Sequence, residues 1–522
     1  MILFSVLLDL PLPLLTMYFI DTIIPRQDLF QLHLIGFLLL GVLLVGTVID
    51  YFRNYYSALL AQKITQKTGM DALSNLMKSN YQRIQNDTTG YWFMRVVEDA
   101  QEIGIAFENI IAIITQVFTF LLGLTLTFYF SWRLGLAVTI LIPFYLLSFK
   151  YLNPRIRERD RRLKETTARL SGLIEETISH IVEIKTLFIE RLKAARVRKK
   201  WDTTIDVSMK YVILTTVLAL AGNFIGSIGS ITILWYGGYL VITNAITLGE
   251  LVALNRFLGY VISPIQGFMN INQQLQSIFV SYNRIEQISA MSRQKTNEVL
   301  TFVHGNRRRN AIEIEDMSFA YDSAGDKKVF DRLSLEIPLT GFTCLSAPSG
   351  FGKSTLFKLL AGILTAESGQ IRICTERKLK ANDIVLVPQN AALFSSNLKD
   401  NLLLGRDIAF DKVTDGVHQL ELDNFVRRLP RGYYTEIGSL DGRISGGEKQ
   451  RIALVRAIVL DPYILLIDEM TSDIDATTEA KIFQALKKSR KDKITLFITH
   501  RESTMLFADN VVTLHEPVRI QP

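Results

Sequence analysis

The sequence predicts an α-helical, six-span transmembrane domain followed by an α/β domain. Three observations carry that expectation. Residues 1–280 hold apolar stretches long enough to cross a bilayer, whose core of about 30 Å takes roughly 20 helical residues. After Ala311 the text turns to short apolar strands alternating with amphipathic helices, and one strand runs into a Gly-rich turn. Of 522 residues, 48% are apolar and 21% charged, which excludes disorder as the main state. The two cysteines, Cys344 and Cys374, exclude a disulfide scaffold.

The candidate spans run about 1–20, 34–52, 107–130, 134–152, 212–240 and 251–272. The first contains Asp9, Pro11 and Pro13, and it starts at residue 1 with no polar lead, which suggests a truncated or misassigned start. It lacks the basic lead and small-residue cleavage site of a signal peptide. The fifth is interrupted by Gly226, Gly229, Gly237 and Gly238. Segment 53–105 carries six Lys or Arg and segment 153–210 carries fifteen; 21–33 has Arg26, 131–133 has Arg133, and 243–250 has none. The two long loops therefore face the cytoplasm, and six spans place both termini there. The net charge of +7 is mostly this topology signal, not a sign of nucleic-acid binding. In 153–200, Leu163, Leu170, Leu173, Ile174, Ile178 and Ile181 recur at helical spacing among alternating charges, so the spans continue as helices into the cytoplasm. The polar stretch 293–310, ending Arg307-Arg308-Arg309-Asn310, reads as a solvated linker near anionic lipid. The division is thus 1–292 membrane, 293–310 linker, 311–522 soluble.

In the soluble part, strands are expected around Ile312–Ile314, Leu333–Ile337 and Phe342–Leu345. The last leads into Ala347-Pro348-Ser349-Gly350-Phe351-Gly352-Lys353-Ser354-Thr355 and then a helix, the strand–turn–helix context of a P-loop. Small residues let backbone N–H groups point at phosphate oxygens, and the helix start adds positive charge. Lys353 would reach the β/γ-phosphates, and Ser354 would bind Mg²⁺. Ala347 stands where the strict pattern has Gly, and fits if its φ is negative. A second, wholly apolar strand ends in Asp468-Glu469; Asp468 suits the Mg²⁺ shell and Glu469 the general base for an attacking water. Between them, Ile444-Ser445-Gly446-Gly447-Glu448 opens another helix, a second anion-binding start. One nucleotide does not need two such starts in one chain, but two chains facing head to tail would use both.

In this order, the P-loop, Gln389, the 444–448 signature, Asp468-Glu469, Ser472-Asp473-Ile474-Asp475 and His500 resemble an ATP-binding cassette transporter. With six preceding spans and two long cytoplasmic loops, the whole chain looks like an exporter-type half-transporter carrying a P-loop NTPase cassette. The resemblance implies roles. Tyr321 would stack on adenine. Gln389 would sense Mg²⁺ and signal to the membrane part. Ser445, Gly446 and Gly447, in the signature that Glu448 completes, would clasp the γ-phosphate of ATP held by the other subunit. Asp475 would sit in the communicating D-loop, and His500 would contact the γ-phosphate. Thr435-Glu436-Ile437-Gly438 looks like the exporter X-loop. Gly90, Arg95 and Asp99 look like the surroundings of a first coupling helix, and Thr186–Lys193 like a second. Ile444, Glu448 and Asp473 depart from the usual residues, but no catalytic group is lost.

The expected function is ATP-driven export or flipping of a hydrophobic or amphipathic substrate, such as a lipid, peptide or drug, by a dimer, with a homodimer favoured over a heterodimer. The expected ligands are ATP and Mg²⁺, and the location is the cell membrane with the cassette in the cytoplasm. An ATP-gated channel or membrane regulator would use the same cassette. A soluble cassette protein is disfavoured by the spans, and an importer by the fused order. Asn223, Ser227, Ser230, Asn255 and Gln266 are candidate polar residues of the substrate cavity. His33, His180, His304, His418 and His515 show no metal spacing. Asp9 and Glu108 are acids in or near spans, flanked by span ends or polar neighbours.

Overall fold

The computed structural model describes residues 6–8, 10–85, 87–293, 300–304, 311–321, 328–339, 341–348, 350–380, 383–438, 444–469, 475–499 and 501–514, side chains at 269–276, 292–293 and 304 excepted. The chain forms two compact units: residues 1–74 with 90–287, and residues 75–89 with 288–522.

The first unit is helical. Helix α1 (Pro11–Tyr18) runs through a π-helical turn, Phe19–Ile23. Then come α2 (Leu29–Lys78), α3 (Tyr81–Ile84) and α4 (Thr89–Met94). A second π-turn, Arg95–Asp99, leads into α5 (Ala100–Phe130). The rest are α6 (Trp132–Ser179), α7 (Ile181–Thr186), α8 (Glu190–Ile242) and α9 (Leu248–Arg293). At about 1.5 Å per residue, 46 to 53 residues extend roughly 70–80 Å, over twice the bilayer core. The long helices therefore do continue past the membrane. Among the described residues, five helical stretches are long and apolar enough to span: 6–26, 29–78, 89–130, 132–179 and 190–242. The sixth expected span lies in α9, whose sequence mixes Glu250, Asn255, Arg256 and Gln266 into the apolar run.

The glycines of the fifth span do not interrupt it, since α8 is continuous from Glu190 to Ile242. They admit neighbours instead. A Cβ on Gly229 would lie 2.8 Å from Leu141, and one on Gly237 only 2.4 Å from Leu251. Small residues at such crossings let apolar helices approach closely. Leu134, Val138, Ile233, Leu240, Leu254 and Leu258 form the buried core there.

Two polar clasps tie the helices end to end. On the side expected to face out, Asp21 Oδ1 accepts from Gly249 N at 2.7 Å and Asp21 Oδ2 from the Thr247 hydroxyl at 2.5 Å, so a carboxylate caps the start of α9. Thr247 and Glu250 complete a reciprocal capping box. At the opposite end, buried Asp99 accepts from Ser281 at 2.7 Å and lies 3.5 Å from the Arg284 guanidinium. Arg95 stacks on Tyr91 at 4.2 Å and donates to Arg284 O and Gln287 Oε1.

The second unit is α/β. Its strands are β1 (Leu300–His304), β2 (Ala311–Phe319), β3 (Phe330–Pro338), β4 (Phe342–Ser346), β5 (Ser368–Thr375), β6 (Ile384–Val387), β7 (Ile464–Asp468), β8 (Ile494–Ile498) and β9 (Asn510–Thr513). One sheet is ordered β1-β5-β2-β3; the other, ordered β6-β7-β8-β4-β9, is wholly parallel. β7 and β8 are buried at every position, as continuous apolar runs in a covered parallel sheet should be. The helices are α10 (Lys353–Leu360), α11 (Leu398–Leu403), α12 (Phe410–Gln419), α13 (Asp423–Arg428), α14 (Gly446–Leu460), α15 (Ala476–Ser489) and α16 (Glu502–Met505).

Two findings bear on the division drawn from sequence. The stretch read as a linker contains β1, which pairs in parallel with β5 while Leu300 and Phe302 pack on the core. Residues 75–89 from the first long loop belong to the cassette's unit. There Asn80 caps α3 and donates to Thr365 Oγ1 at 3.1 Å, and Gln82 Nε2 donates to Ala320 O at 3.0 Å.

Candidate functional site

Because β4, β6 and β7 run parallel, their C-terminal ends share one edge, where α/β folds bind ligands. β4 ends in the 347–352 loop, β6 leads to Gln389, and β7 ends at Asp468. The loop turns through two left-handed glycines, Gly350 at φ +83° and Gly352 at φ +80°. At Gly352 a Cβ would also lie 2.6 Å from Val329 Cγ1. Ala347 is not among the described residues with positive φ, so its Cβ is tolerated in place of glycine.

Lys353 is 5% exposed, and its ammonium donates to Ala347 O at 2.8 Å and Pro348 O at 3.2 Å. Burial lowers its pKa, against the opposing pull of Glu469 and Asp468. The next residue, Ser354, donates to Asp468 Oδ1 at 3.0 Å. Asp468 is buried; desolvation raises its pKa and the Ser354 hydrogen bond pulls it back. Glu469 stands at φ +41°, a strained conformation for a side-chain-bearing residue. Its Oε2 accepts from Gln389 Nε2 at 2.8 Å. Tyr321 and Thr355 share a hydroxyl–hydroxyl bond of 2.9 Å, and the Tyr321 ring meets Phe319 edge to face.

Ser445 caps α14 in a full capping box with Glu448: Ser445 Oγ accepts from Glu448 N, and Glu448 Oε2 accepts from Ser445 N. The other Glu448 oxygen pairs with Arg428. An acid at this position thus has a local structural reason. Gly446 and Gly447 form the first turn of α14. Asp475 caps α15, and hydrogen bonds from Thr477 and Thr478 hold its carboxyl well below the usual range. Ser349, His500 and 472–474 lie outside the described residues. Residues 435–438 brace the segment after Gln389: Leu398 N donates to Thr435 O at 3.0 Å, and a Cβ on Gly438 would lie 2.4 Å from Ser395 Cα.

Sequence reasoning missed the parts of α14 that hold the Gln389 segment. Gln450 Nε2 donates to Gln389 O at 3.2 Å. Arg456 donates to Asn401 O, Ala392 O and Asn401 Oδ1 at 2.6 to 2.8 Å, and lies over the Phe394 ring. Its signal is the single cation within the apolar run 452–460, six residues after Gln450.

No group of three or more His, Cys, Asp or Glu suited to a metal occurs among the described residues. The Ser354 hydroxyl and Asp468 carboxylate, 3.0 Å apart, are instead a pair of hard oxygen donors that fits a magnesium ion shared with phosphate and water.

Two family models match the chain, ABC transporter transmembrane region over residues 1–265 and ABC transporter over 330–472. The chain is 26% identical over 98% of its length to "Putative multidrug export ATP-binding/permease protein YgaD" of Bacillus subtilis (strain 168), covering 91% of that protein. It is 28% identical over 96% of its length to a protein of the same description from Staphylococcus aureus (strain NCTC 8325 / PS 47), covering 89% of it. A solved structure, a bacterial Atm1-family ABC exporter with ATP bound, aligns with a TM-score of 0.82 at 22% identity, covering 98% of this chain and 92% of that one. At that identity the likeness speaks to fold alone.

Proposed function

This chain belongs to the ABC transporter family, as a fused membrane and cassette protein, and from that premise we propose that two copies work together to export or flip an amphipathic substrate. It is a multi-pass membrane protein whose cassette is a transport-coupled ATPase. In the proposed reading, residues 1–292 move substrate, 311–522 hold nucleotide, and the join lies in 293–310. The names of its relatives, which describe multidrug export, support a drug-like substrate.

The observation that carries the reading is the convergence of Lys353, Ser354, Asp468 and the Gln389–Glu469 pair at one sheet edge. Lys353 would release the loop carbonyls to take phosphate oxygens of ATP. Backbone N–H groups of 350–355 would cradle the same phosphates, and Tyr321 would meet the base. Ser354, Asp468 and Gln389 would hold Mg²⁺, which supplies charge neutralisation on the phosphates. Glu469 would orient the attacking water and take its proton, with Gln389 positioning the carboxylate; His500 would aid at the γ-phosphate. Catalysis of this kind is chiefly positioning and electrostatics. The Ser445-Gly446-Gly447 start and Asp475 would serve ATP bound to the other copy. One chain supplies both halves of such a pocket, which favours a homodimer. The exposed apolar tip Val182, Leu187 and Phe188, the last 85% exposed, is further support for a partner.

Changing Glu469→Gln tests the base. Hydrolysis should fall about 100-fold or more while ATP binding persists. Single-turnover hydrolysis at the wild-type rate in that variant would refute the assignment.

A further inference from the structure

We propose that a cavity between α2 and α5 is a headgroup site for ammonium-bearing amphiphiles, with Glu108 as the counter-charge. The inference rests on the export reading above and names the substrate chemistry it would serve. The cavity has a volume of about 440 Å³ and is walled by Arg53, Asn54, Ser57, Glu108, Thr115 and Gln116, with alanine and isoleucine between them. That volume is in the range of small-molecule sites. Its depth follows from the sequence. Arg53 opens the first cytoplasmic loop and Glu108 lies one residue inside the third span, so the cavity sits at the inner membrane interface, where the head of a lipid-like molecule lies.

The chemistry of the wall is one-sided. Arg53 is already matched by Asp50, whose Oδ1 lies 3.0 Å from its guanidinium. Among the described residues, Glu108 has no ion pair or hydrogen bond, although it is partly buried. Gln116 Oε1 is a buried acceptor with no donor. The whole amide packs against α9, where a Cβ on Gly267 would lie 2.2 Å from Gln116 Nε2 and 2.6 Å from Oε1, so Gln116 closes the wall and does not reach for a ligand. The Thr115 hydroxyl spends its proton on Ile111 O at 2.9 Å, leaving only acceptor capacity for the cavity. The unpaired Glu108 carboxylate, with the Thr115 hydroxyl oxygen two turns along the same helix, biases the wall toward a cation that carries N–H groups. An ionisable residue at membrane depth is retained for a function or a partner, and the described neighbours supply none. A primary or secondary ammonium answers the Glu108 carboxylate, and its apolar tail suits the alanine and isoleucine of the wall. An amphipathic amine drug and an amine-headed lipid share that chemistry.

The test uses the full-length protein in vesicles and reads ATPase stimulation by dodecylammonium and by its neutral match, dodecanol. The half-stimulating concentration for dodecylammonium should rise ten-fold or more in Glu108→Gln and return toward wild type in Glu108→Asp. That for dodecanol should be the same in all three proteins. Vesicles of phosphatidylethanolamine compared with phosphatidylglycerol separate the sources: a Glu108-dependent difference between them assigns the site to lipid, and none assigns it to the added amine. If amine and alcohol shift together in Glu108→Gln, or neither shifts, the proposal falls and the export reading stands. If wild-type protein hydrolyses ATP but moves no amphiphile of any charge across the vesicle, it is the export reading that falls.

Discussion

Glu469 combines the two traits of a residue kept for chemistry: a left-handed backbone at φ +41° and a carboxylate held by a neighbour's amide. Lys353, by contrast, is held by the loop it would leave in the proposed reading. Its contacts to Ala347 O and Pro348 O are local, and burial already favours loss of its charge, so an incoming anion is a better partner than the loop. Lys353→Ala should therefore weaken ATP affinity ten-fold or more, read by titration with a fluorescent nucleotide. Unchanged affinity would remove the lysine from the site. At this scale the sequence was highly legible. Gly350, Gly352, Lys353 and Ser354 fall within five consecutive residues, so the glycine turn ahead of the helix is readable from spacing alone. Gln389 and Glu469 are 80 positions apart, and only the neighbouring of β6 and β7 brings them to 2.8 Å. The glutamate at 448 looked like a departure from pattern; its capping box and Arg428 could be seen only once the helix start was placed.

At the scale of elements, α14 does more than present a signature at its first turn. Gln450 and Arg456 grip the backbone of 389–401 from two successive turns, which ties the helix to the Gln389 segment. Arg456 is substantially buried without a carboxylate beside it, and burial lowers its pKa. Its removal would take a donor from Asn401 O and Ala392 O, while Asn401 Oδ1 would keep its bond from Phe394 N. Arg456→Met should lower stability by about 2 kcal/mol or more. Apparent unfolding of the detergent-purified protein should shift down by about 4 °C or more. ATP affinity should change less than the hydrolysis rate, because the P-loop is untouched. A variant with wild-type melting and turnover would show the grip to be dispensable. Long-range contacts of this sort leave little trace in one sequence. The elements themselves were easier: β7 and β8 announced themselves as unbroken apolar runs, whereas β1 hid in a polar stretch because only Leu300 and Phe302 face the core. The glycines of α8 misled for a related reason. Their lack of a side chain serves a neighbouring helix, and the backbone they sit on is regular.

For the whole molecule, the two-part architecture follows from composition, but the border between the parts is not a point in the sequence. Residues 75–89 sit with the cassette, some two hundred positions before its main body begins. A fragment of residues 294–522 should unfold at a lower temperature than the same fragment supplied with a peptide of residues 75–89. Equal melting would mean that Asn80 and Gln82 add nothing to the cassette's stability. The arrangement has a mechanical corollary. This short insert is spliced covalently to α2 on one side and to α4 on the other, so it is a toggle held by two cords. A cut at one join would leave the insert attached through the other, so only cuts at both would free it from the helices that flank it.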